Sequence, residues 1–115
     1  MTIVERLDAL KPLLGEKGMQ DMADAVAAYR AQYGKPWLAE FKRNNPALTD
    51  LMDLIANYEF DEAWQRLFIL VDEWIDTEPS IGKRIAYRAA ANVTLGGARP
   101  EIAKLHAMVR AEIDR

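Results

Sequence analysis

The chain has 115 residues, 50% hydrophobic and 29% charged, with a net charge of −3, a composition that fits one globular domain, 1–115, able to bury roughly 65% of its unfolded surface. With no cysteine it has no disulfide framework, thiolate metal site or thiol nucleophile. Charges interrupt "MTIVERLDALKPLLGEKG" every few residues and the notable apolar run "LFILV" (67–71) is short, so neither a signal peptide nor a membrane span is expected and cytoplasmic residence is the default.

Helical spacing dominates and strand-like alternation is absent. Thr2 followed by Glu5 is a capping box that starts a helix at Ile3, and Pro12 kinks it or cuts it short. A second helix follows Gly18, with Met19, Met22, Val26, Tyr29 and Tyr33 in one narrow stripe suited to packing against another helix. Gly34 ends it, and Pro36 opens a short helix with Trp37, Leu38 and Phe41. Asn45-Pro46 reads as a cap and first-turn proline before the stripe Leu48, Leu51, Met52, Ile55 and Tyr58.

Asp61 can cap the following helix, whose Trp64, Leu67, Phe68, Val71, Trp74 and Ile75 cover a broad arc and make it the expected centre of the core. Trp64, Phe68, Val71 and Trp74 should be mutually buried, so truncating Trp64 or Phe68 should cost about 3–5 kcal/mol. Ile69 falls on the opposite, polar side. After "TEPS" a helix runs from about Ser80 to Leu95, Gly96-Gly97 turns the chain, and Pro100 opens a last helix with the stripe Ile102, Leu105, Val109 and Ile113. The expected fold is all-α, about six helices in antiparallel helical hairpins, as a compact bundle or a short solenoid-like stack.

Charge is uneven. Residues 1–76 carry a net −6 and residues 77–115 a net +3, an acidic body with a basic C-terminal third that suits a charged partner. Within that third, Leu95, Gly96, Arg99, Pro100, Ile102, Lys104 and Leu105 of "TLGGARPEIAKL" resemble a helix-turn-helix, whereas Asn92 and Gly97 depart from the small and buried aliphatic residues the family wants. The resemblance implies a DNA reader over 88–107, with Arg99 in the major groove and Arg84, Arg88 and Lys104 near phosphates. An ordinary αα-hairpin, Gly at the stop and Pro at the start, explains the same residues.

"NYEFDEAWQRL" (57–67) is similar to the middle of a tetratricopeptide repeat: Phe60 and Ala63 match, Leu67 replaces the usual aromatic, and Pro79 comes a helical turn late. That likeness implies stacked helical hairpins of a kind used to hold proteins. Glu59-x-x-Glu62 and Glu73-x-x-Asp76 resemble the paired acids that hold magnesium in all-α nucleoside triphosphate pyrophosphatases. On one unbroken helix, however, Glu62 and Glu73 would stand about 16 Å apart along the axis, too far to share an ion.

His106 is the only histidine, which leaves no histidine cluster and no neighbouring nucleophile to activate, and a half-buried place at a helix edge is expected. Gly96-Gly97 follows a helix and lacks a P-loop lysine. The leading expectation is a non-enzymatic helical protein-interaction module, adaptor- or inhibitor-like, without cofactor or metal. Its expected interface is Trp37, Ile69, Arg84, Arg88, Arg99 and Lys104. Trp37 is the aromatic anchor there, because a short helix between two breakers is harder to bury. A protein partner is expected; homo-oligomerisation is open, nucleic acid is the alternative, and no membrane is involved.

Overall fold

Two of the helices, those after Thr2 and Ser80, begin at a capping side chain. The computed structural model describes residues 2–13 and 15–115. Among these run α1 (Ile3–Leu10), α2 (Glu16–Tyr33), α3 (Trp37–Asn44), α4 (Thr49–Asn57), α5 (Phe60–Asp76), α6 (Ile81–Gly97) and α7 (Arg99–Ile113), with 3₁₀ turns at Lys11–Leu13 and Pro46–Leu48 and no strand. The all-α expectation holds, with seven helices rather than about six.

The caps at Thr2 and Ser80 form as read: Thr2 Oγ1 accepts from the Glu5 N–H at 3.1 Å and Ser80 Oγ from Lys83 at 3.4 Å. Pro12 ends α1 by turning the chain through a 3₁₀ segment. Gly34 closes α2 at φ 65°, donating to the Arg30 carbonyl at 3.0 Å, a geometry that favours glycine.

Three boundaries differ from the sequence reading. Helix α2 starts at Glu16, so Gly18 lies inside its first turn. Asn45 does not cap the next helix; its Nδ2 donates back to the Phe41 carbonyl at 2.9 Å and closes α3. Helix α5 begins one residue before Asp61, after an extended Glu59.

Helix α2 packs on α3 and α7, α4 on α5 and α7, and α6 mainly on α5. The Met/Tyr stripe of α2 meets its neighbours as expected: Val26 is fully buried, and Tyr29 sets its ring edge-to-face on Phe41 at 5.2 Å. In a body 45 × 25 × 25 Å, packed helices about 8–10 Å apart form roughly two layers, which leaves every helix an outer side.

Helix α5 buries a narrower face than its apolar residues predict. Its buried stripe is Ala63, Leu67, Val71 and Ile75 at four-residue steps. Of the expected quartet only Val71 is fully buried; Trp64, Phe68 and Trp74 are half-buried and pack against the core from outside. A helix with one covered face cannot turn so broad an arc inward. The small and branched residues take the seam, and the rings close its edges.

Candidate interaction surface

Trp37 is 2% exposed and sets its ring edgewise to Phe41 at 6.5 Å. The two breakers around α3 fold this short helix between α2 and α4, which completes its burial. Trp37 is therefore a core residue and not an exposed anchor. Ile69 is 57% exposed, as expected, beside a shallow groove with Leu54, Tyr58 and Arg66. Lys104 borders a different groove with Glu16, Met19 and Gln20 of α2. The six expected interface residues do not converge on one surface.

Much of the basic C-terminal third is engaged within the fold. Arg88 pairs with Asp76 and, at 3.7 Å, with Asp72. Arg99 reaches Asp61 at 2.9 Å and lies over the rings of Phe60 and Trp64, 4.9 and 5.4 Å from their centroids. Arg110 donates to the Ala56 carbonyl at 2.5 Å. His106 is buried, with Nε2 2.9 Å from the Tyr58 carbonyl and its ring edge-on to Phe60. Because a carbonyl only accepts, Nε2 carries the hydrogen. His106 and Arg110 thus serve the open carbonyl end of α4. Sequence placed His106 at a helix edge and could not see that its partner lies 48 residues away. Among the described residues Lys83, Arg84 and Lys104 make no ion pair.

The two resemblances to functional motifs meet a geometric obstacle each. A helix-turn-helix joins its helices by three or four residues, whereas only Ala98 lies between Gly97 and Arg99. Helix α7 packs chiefly on α2 and α4 rather than on α6. Helix α5 runs unbroken from Phe60 to Asp76, so the acids at its two ends stay apart. Glu62 is paired with Arg66 at 2.9 Å and Asp76 with Arg88. Among the described residues no three His, Cys, Asp or Glu side chains converge on a metal-sized site.

The outer side of α6 is the surface that no contact within the chain accounts for. Helix α6 buries only Ala91 and Leu95 fully. Its outward arc, about 140° wide at 100° per residue, runs from Ile85 to Ala90 and holds only Ile, Val, Ala and Gly. On it Val93 is 78% exposed and Ile85 64%, and Ile81, about 40° beyond Ile85, is 67% exposed. A surface helix ordinarily turns charged residues to that side. The signal was in the sequence, since from Ile85 to Ala98 the only charged residue is Arg88.

Gly82, Gly96 and Gly97 share this arc. They do not turn the chain: α6 continues through Gly97, and none of the three has positive φ. A methyl added at any of them would meet nothing within 4 Å. No contact inside the chain requires these glycines, although glycine in a helix interior costs about 0.5–1 kcal/mol relative to alanine. Gly82→Ala and Gly96→Ala should therefore each stabilise the isolated chain by about 0.5–1 kcal/mol in urea unfolding at low protein concentration. Destabilisation by either would mean that the fold itself needs them.

No family model, curated protein or solved structure matches this chain.

Proposed function

We propose that the chain is a non-enzymatic helical protein-interaction module, its helices arranged as packed hairpins, and that it works by seating another helix on the outer face of α6. The observation that carries this reading is the uncharged arc of α6, exposed and holding three glycines that no neighbour in the chain requires. Small residues let two helix backbones approach closely, and Ile81, Ile85 and Val93 supply apolar area that water would otherwise cover. Lys83 lies at the rim, where a charge tunes rate and specificity rather than affinity.

The test places a photoreactive p-benzoylphenylalanine at Ala89, in the centre of the face, or at the exposed Ala31 of α2 as a control. Irradiation in cells should give discrete crosslinked protein species from Ala89 and none from Ala31, with mass spectrometry identifying the attached chain. If Ala89 crosslinks no more than Ala31, the face docks nothing and the proposal fails.

A further inference from the structure

We infer, resting on the reading just given, that the helix seated on α6 is α6 of a second copy, antiparallel across a two-fold axis at Ala89. The strip along the middle of the face is self-complementary about that residue: reflection through Ala89 maps Gly82 onto Gly96 and Ile85 onto Val93, and nearer the rim Ile81 onto Gly97, Ala86 onto Asn92 and Ala90 onto Arg88. Isologous two-fold pairing is the commonest way a surface recognises itself.

Charge fits the same arrangement. The two copies of Lys83 would stand about 18 Å apart along the axis, beyond the roughly 8 Å screening length of physiological salt. The two helix dipoles also oppose each other. Nucleic acid lacks the row of cations it needs on this arc, and a membrane-lying helix needs bulky apolar residues where these are alanine and glycine.

Helix α6, with 17 residues, is about 25 Å long. One such face is smaller than the roughly 800 Å² per partner of a standard interface, so association in the micromolar range is expected rather than tighter.

Sedimentation of the purified protein across concentration should show a shift from 13.0 kDa to twice that mass. Val93→Asp should raise the dissociation constant about a hundredfold or more, because it buries unpaired carboxylates, while its circular dichroism stays native because the site is exposed in the single chain. The chain has no cysteine, so Ala89→Cys can crosslink only between copies; mild oxidation should dimerise it and leave Ala31→Cys monomeric. A wild-type chain that stays at 13.0 kDa up to about 1 mM overturns the second copy. So does a dimer indifferent to Val93→Asp. A dimer broken by Val93→Asp whose Ala89→Cys does not crosslink overturns the axis. Photocrosslinks from Ala89 to an unlike protein, with a monomer in solution, defeat this inference and leave the docking reading standing. Failure of both readings requires Ala89 to crosslink nothing.

Discussion

Trp37→Ala should lower the unfolding free energy by about 3–5 kcal/mol, the cost of emptying a buried indole site. The ring is almost wholly enclosed and is among the largest side chains in the core. It lies against Phe41, which in turn meets Tyr29 of α2. Truncation therefore opens a cavity where α2 and α3 join, and one short helix cannot collapse into it without breaking the Phe41–Tyr29 contact. A domain of this size is typically stable by only about 5–15 kcal/mol, so the variant should unfold at much lower urea. Trp64→Ala should cost clearly less, because that ring is only partly buried and the α5 seam stays filled by Leu67 and Val71. Equal losses for the two tryptophans would reverse the assignment of core and rim.

Gly18→Ala should be the costliest of the glycine replacements. Gly18 lies in the first turn of α2, where the chain has just passed through the Lys11–Leu13 turn, and a methyl there would overlap the Pro12 carbonyl oxygen. The obstacle is backbone, not the movable end of a side chain, and the proline ring fixes φ at that residue. Either α2 shifts outward or the turn rebuilds, and a loss of about 1–3 kcal/mol or more is expected, as for other overpacked sites. Alanine is otherwise the better helix former, so the sign alone is informative. Urea unfolding of Gly18→Ala beside Gly82→Ala checks it, since the same chemical change should destabilise at the first position and stabilise at the second. A stabilised Gly18→Ala would show that the turn has room.

Local rules of this chain were legible because they depend on residues three or four positions apart. The Thr2 and Ser80 caps, the Gly34 stop and the stripe through Leu51, Met52 and Ile55 all follow from near neighbours. What the sequence hid depends on distant partners or on which of two equivalent uses a residue serves. Burial of Trp37 requires α2 and α4 to close over α3, which no local spacing announces. Gly96-Gly97 resembles a helix stop, yet the same pair serves equally as a bare patch on a continuing helix. Arg99 looked available to a partner because Asp61 lies far from it in sequence. The apolar face of α6 was visible in composition, but which side of the helix faces water shows only once Ala91 and Leu95 are seen to be its buried residues.

The hydrogen bonds from α7 to the end of α4 bear on how the chain matures during synthesis. The Tyr58 carbonyl finds its imidazole 48 residues later and the Ala56 carbonyl its guanidinium 54 residues later. At about 5–20 residues per second of translation, a nascent chain that has released α4 waits roughly 2–10 s for His106 to be made. Helix α2 waits longer still for α7, its broadest neighbour. For that interval α2 and α4, whose Val26 and Ile55 are sealed in the finished fold, lack the helix they both pack on, so the newly made N-terminal half passes through a sticky stage in which cellular holdases have apolar surface to grip.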